Sequence, residues 1–118
     1  MITQKRKLGD LGEKIALEYL HKQGYQIIEK NYQKKWGEID IIAKDQKGQI
    51  IFIEVKTGLQ AEENITKQKR ERILRTAEIY LLEKKYSSQA NWQIDVILVE
   101  LNYITRKANL RHLKNAVY

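Results

Sequence analysis

The chain has 118 residues, 42% apolar and 31% charged, with 22 Lys+Arg against 15 Asp+Glu for a net charge of +7. A chain of this length is expected to form a single domain, 1–118, and apolar blocks between the charges argue against disorder. The absence of cysteine excludes disulfides, thiolate metal sites and cysteine nucleophiles, and two histidines, His21 and His112, are too few for a multi-histidine metal centre. The N-terminus, Met1 to Lys7, is basic and polar without an apolar stretch, so no signal peptide is expected. The apolar run Ile50 to Ile53 is far too short to span a membrane. The expectation is therefore a cytoplasmic domain with no membrane association and an anionic partner, most simply nucleic acid.

Leu8, Leu11, Gly12, Ile15, Ala16, Tyr19 and Leu20 recur at spacings of three and four, which predicts a helix from Leu8 to Gln23. Gly24 ends it, and Gly12 on its apolar face would let it approach a sheet closely. Tyr25 to Tyr32, Gly37 to Ala43 and Gln49 to Thr57 read as three strands. The turn signal Asp45-Gln46-Lys47-Gly48 joins the second and third as a hairpin. Ile65, Ile73, Leu74, Ala77, Tyr80 and Leu81 predict a second helix over Asn64 to Lys85, capped by Asn64 or Thr66. Trp92 to Leu101 is a fourth strand, and Asn102 to Tyr118 fits either a short strand or a last helix. The order is α-β-β-β-α-β. Basic residues gather in three clusters: Lys5 to Lys7; Lys67, Lys69, Arg70, Arg72 and Arg75; and Arg106, Lys107, Arg111 and Lys114.

The second and third strands are apolar enough to be central, yet Asp40, Glu54 and Lys56 interrupt them. A hairpin centred on Lys47 sets Asp40 and Glu54 directly opposite on one face, with β-carbons roughly 4.5–5.5 Å apart. Like charges so placed repel, and a divalent cation would reverse that penalty. Lys56, two residues from Glu54, leaves the strand on the same side. Two acids and an amine converging in this way suit phosphodiester hydrolysis with Mg²⁺, a cation that takes few oxygen ligands from protein and keeps several waters. The other reading is a salt bridge of Lys56 with Asp40 or Glu54. Glu38 is either a third oxygen ligand or a surface or capping acid. Lys69 either snorkels to solvent or contacts a phosphate.

Asp40 and Glu54-Val55-Lys56 in this element order resemble the PD-(D/E)XK nuclease superfamily, with its restriction-endonuclease-like fold. More narrowly, the chain resembles the YraN-like family, uncharacterised protein family 0102, related to archaeal Holliday junction resolvases. The matching pieces are Gly9-Asp10-Leu11-Gly12-Glu13, Ala16 with Tyr19-Leu20, Asn31, Gly37 to Ala43, Phe52 to Thr57, Lys69, Ala77 with Tyr80-Leu81, and Asp95-Val96. Ile39 replaces the proline of the superfamily name, and Gly58 stands where the family commonly has a basic residue, before a segment to Asn64 that is shorter than usual. The resemblance implies an αβββαβ core with a mixed four- or five-stranded sheet flanked by helices. It also implies an endonuclease using Mg²⁺ or Mn²⁺ on DNA, branched or junction DNA included. Asp40, Glu54 and, by carry-over alone, Glu13 would hold the metal; Lys56 would be catalytic; Lys69, Arg70, Arg72 and Arg75 would contact nucleic acid. Because resolvases act as symmetric dimers, a homodimer is implied too. The competing expectation is a nuclease-like scaffold that binds nucleic acid or protein without cutting.

Overall fold

The computed structural model describes residues 3–58, 66–102 and 104–116. Helix α1 (Gln4–Lys22) is followed by strands β1 (Gln26–Lys34), β2 (Gly37–Lys44) and β3 (Ile50–Gly58), helix α2 (Lys67–Glu83), and strands β4 (Trp92–Asn102) and β5 (Lys107–Leu113). The five strands form one mixed sheet in the order β1-β2-β3-β4-β5. All neighbours are antiparallel except β3 and β4, which run parallel across the connection containing α2. This is the expected mixed α/β fold with five strands, and the ambiguous tail resolves into the strand β5.

Each helix covers one face of the sheet. On the α1 side, Ala16 and Leu20 pack with Ile41, Ala43, Ile51, Ile53, Ile97 and Val99. On the α2 side, Ile73, Ala77 and Tyr80 pack with Ile42, Phe52, Ile94, Val96 and Leu98. Burial on both faces explains why β3 and β4 carry continuous apolar runs instead of alternation.

Both helices are bounded by sequence-local chemistry. The Thr3 hydroxyl accepts from the Arg6 amide at 3.1 Å, so α1 begins four residues before the predicted Leu8. Its first turn is polar and carries no apolar period to read. Leu11, expected on the apolar face, is instead 46% exposed. Gly24 takes a left-handed φ of +87° just past the helix end. The Thr66 hydroxyl caps α2, accepting from the Lys69 amide at 3.1 Å; Asn64, the alternative cap, and Ile65 lie outside the described residues. Gly12 is buried where a β-carbon would collide with the Thr57 side chain, so its missing side chain does let α1 approach β3.

A buried polar chain ties β5 back to α1. His112 Nε2 lies 2.7 Å from Asp95 Oδ2, and Tyr19 Oη lies 2.8 Å from His112 Nδ1. Asp95 Oδ1 also accepts from the Gln93 side-chain amide and the Asn115 backbone amide. Both ring nitrogens of His112 are thus partnered, one by Asp95 and the other by Tyr19.

Candidate functional site

The β2–β3 hairpin has the expected register: Ile41 pairs Ile53, Ile42 pairs Phe52, Ala43 pairs Ile51 and Lys44 pairs Ile50. The ladder ends at Ile41–Ile53, however, so Asp40 and Glu54 are not the cross-strand pair that the register alone predicts. A break in strand alternation accompanies that end. Ile39 and Ile41 should share a face, being two residues apart, yet Ile39 packs on the α2 side and Ile41 on the α1 side. Opposite them on β1, Asn31 has a φ of +52°, the left-handed region that asparagine tolerates better than most residues.

The flip places Asp40 at the junction of two clefts. One, on the α1 side, is lined by Arg6, Asp10, Glu13, Asn31, Glu38 and Asp40 among others. The second, on the α2 side, is lined by Glu38, Asp40, Glu54, Lys69 and Arg72 with their neighbours. Asp40 Oδ2 accepts from the Val55 amide at 2.8 Å, taking the place of a strand partner where the ladder opens. Burial pushes the Asp40 carboxyl up to about 8; Glu54 adds to the rise, the Val55 N–H opposes it, and Glu38 and Glu13 raise it further. Glu13 is also raised, chiefly by partial burial, against the pull of Lys30 and a hydrogen bond with Asn31. Asp40 thus feels three other carboxylates, Glu54, Glu38 and Glu13, in a chain of net charge +7.

Among the cations, Lys69 reaches this group directly: its Nζ lies 2.8 Å from Glu54 Oε1. Its pKa is raised although partial burial works the other way, because the Glu54 hydrogen bond and the Glu54, Asp40 and Glu38 charges outweigh it. Of the two expectations for Lys69, snorkelling to solvent or a phosphate contact, neither anticipates this pairing with Glu54. Lys56 follows Glu54 by two residues on β3 and is half-buried. Arg72 borders the α2-side cleft and Arg75 a neighbouring one, whereas Arg70 is not among the residues lining either. The third basic cluster lies on β5 and in the turns on either side of it, at the sheet edge opposite β1; there Arg111 pairs with Glu100 at 3.5 Å.

The donor set suits a hard cation. Asp40, Glu54, Glu38 and Glu13 offer only carboxylate oxygens, and a divalent ion would relieve the part of Asp40's rise that its acidic neighbours add to burial. Among the described residues, no three acidic or histidine side chains are already gathered at ligating separation. An ion here would therefore rely on water for much of its shell and would compete with Lys69 for Glu54.

A family model described as Uncharacterised protein family UPF0102 matches residues 12–99. The chain belongs to that family. A UPF0102 protein of Clostridium botulinum is 41% identical over 116 residues, 94% of each chain. A second, from the Loch Maree strain of that species, is 40% identical with the same coverage. One from Desulforamulus reducens is 35% identical over 123 residues, spanning 99% of this chain and 100% of the relative. The UPF0102 match contains Glu13, Glu38, Asp40, Glu54, Lys56 and Lys69 but neither Arg6 nor β5.

Sequence reasoning missed the roles of Arg6, Asp10 and Asn31 in shaping the α1-side cleft. Asn31 carried a usable signal, because an asparagine inside a strand favours a left-handed break. The sequence marks Arg6 only as part of a basic cluster and Asp10 only within the block Gly9 to Glu13, because no local spacing relates either residue to Asp40 on β2.

Proposed function

We propose that this UPF0102 protein is a metal-dependent nuclease acting on DNA, with a preference for branched or otherwise irregular structures. The observation that carries the reading is the lining of two adjoining clefts by Asp40 and Glu38 where the β2–β3 ladder opens, with Glu13 in one, Glu54 in the other, and Lys69 and Arg72 at the rim of the second. Asp40 and Glu54, with Glu13 or Glu38, would hold Mg²⁺ or Mn²⁺. When bound, such an ion polarises the phosphoryl group and lowers the pKa of an attacking water. Asp40 keeps its orientation through the Val55 amide, which donates to Oδ2, and Oδ1 would be the oxygen offered to the cation. Lys56, on the Glu54 side of β3, would stabilise the negative charge that develops on the phosphoryl oxygens. Lys69, Arg70, Arg72 and Arg75 would neutralise phosphates along α2.

The test is cleavage of a panel (duplex, single strand, flap, four-way junction and RNA) with Mg²⁺ or Mn²⁺ against EDTA. Lys56→Ala should abolish cleavage while leaving Mg²⁺ affinity within about twofold, because the ammonium is not a ligand. Near-normal turnover in that variant would remove Lys56 from the chemistry.

A second reading is favoured by the Lys69–Glu54 ion pair. An amine already seated on a ligand carboxylate fits a scaffold that grips nucleic acid without cutting. Mg²⁺ that neither raises the melting temperature nor supports cleavage of any substrate would select this reading.

A further inference from the structure

Trp36 stands apart from both apolar clusters. It lies in the turn between β1 and β2 and is 45% exposed. The guanidinium of Arg75 on α2 lies 4.3 Å from the ring centroid, and Lys35 Nζ lies 5.3 Å from it. The turn is held against α2 at the next residue. A β-carbon on Gly37 would come within 2.8 Å of Thr76 Oγ1, and that hydroxyl donates to the Arg72 carbonyl at 2.7 Å. The indole is therefore positioned by backbone packing and by a stacked cation, while keeping aromatic surface open to solvent.

The surroundings define what could use that surface. Trp36 borders a cleft of about 660 Å³ shared with Lys34, Lys35, Arg72 and Arg75, against which Glu38 and Glu71 are the lining acids. Glu38 also lines both carboxylate clefts, so this basic, aromatic cleft adjoins the candidate metal site. A π surface among cations suits a planar base joined to a phosphate. The paired bases of a duplex are stacked inside it and cannot lie on the indole without being extruded.

We propose that Trp36, backed by Arg75, is a stacking platform for an unpaired DNA base beside the scissile phosphate. It biases the site toward strands with unpaired nucleotides. The substrate selectivity rests on the nuclease reading above; the stacking itself does not, because it needs no metal.

The test is binding in EDTA of a fluorescently labelled 12-nucleotide oligothymidylate and of an abasic strand of the same length, by anisotropy. Trp36→Ala should weaken oligothymidylate binding roughly tenfold and leave the abasic strand unchanged; Trp36→Phe should keep part of the affinity. In Trp92→Phe, which leaves Trp36 as the one indole, oligothymidylate should quench the fluorescence and the abasic strand should not. Equal losses on both strands, or no base-dependent quenching, would overturn the proposal even if the protein cleaves DNA. Base-dependent binding by a protein that cleaves nothing would uphold the platform and reject only the nuclease reading.

Discussion

Asp40 is held by opposing influences whose balance can be measured. Its carboxyl accepts from the Val55 amide, which favours the charged form, but burial and the neighbouring Glu54 raise its pKa to about 8. In an unfolded chain an aspartate titrates near 4. Between about pH 4 and 8 the folded protein therefore binds more protons than the unfolded one, and stability falls as pH rises through that window. Asn at this position keeps an acceptor for the Val55 N–H and offers a donor to the nearby acids. In EDTA, Asp40→Asn should melt above wild type at pH 8, by about 1 kcal/mol or more, with the gap closing toward pH 4. Mg²⁺ at ten times its Kd should add about 1.4 kcal/mol to wild type and little to the variant. Melts at several pH values, with Mg²⁺ and with EDTA, check both halves. Severe destabilisation of Asp40→Asn in EDTA would instead make Asp40 a structural anion.

At the scale of elements, the contact of α1 with β3 fixes where Glu13 lies. Gly12 makes that contact, with Thr57 in the space a β-carbon would need. Gly12→Ala should cost about 1–3 kcal/mol in thermal or denaturant unfolding, despite alanine's better helix propensity. An unchanged or raised stability would show that α1 can shift outward freely. The Gly12 approach was legible in the sequence because a glycine on an otherwise apolar helical face has few other uses. The hairpin register was legible because Asp45 to Gly48 is a strong turn signal between two apolar runs. The flip at Asp40 was not. Ile39, Ile41, Ile42 and Ala43 are all apolar in a strand buried on both faces, so no alternation reveals which way each points. The exposed strand β5 was hidden for the opposite reason, since Ala108, Asn109 and Arg111 bury too little to leave a pattern. The Lys69–Glu54 pair needed the distance between α2 and β3, which no local spacing encodes.

For the whole molecule, charge is distributed unevenly about the sheet. Asp40, Glu54, Glu38 and Glu13 line the clefts at the open end of the β2–β3 ladder, while α2 carries Lys67, Lys69, Arg72 and Arg75, of which Lys69 and Arg72 border one of those clefts, with no acid in its first turn. Basic charge at a helix N-terminus opposes the helix dipole and costs a few tenths of a kcal/mol per residue, an expense that phosphate contacts would offset. Engaging about four phosphates predicts a slope near −4 for log K against log salt on duplex DNA, measured in EDTA. Neutralising Arg72 and Arg75 together should flatten that slope by about two. Binding that ignores salt, or is absent at low salt, would count against both functional readings. The described residues contain no helix long and apolar enough to cross a membrane.

The Val55 amide is protected by a side chain where its neighbours along β3 are protected by other strands. Its hydrogen exchange is therefore a built-in reporter on one carboxylate. In Asp40→Ala the Val55 amide should exchange at least about tenfold faster in NMR measurements, while that of Ile53, inside the ladder, stays slow. In the wild-type protein, an ion that draws Asp40 toward itself should shift the Val55 resonance and alter its exchange without touching the rest of the sheet. A single backbone proton would then show when the site is filled, with no substrate and no turnover required.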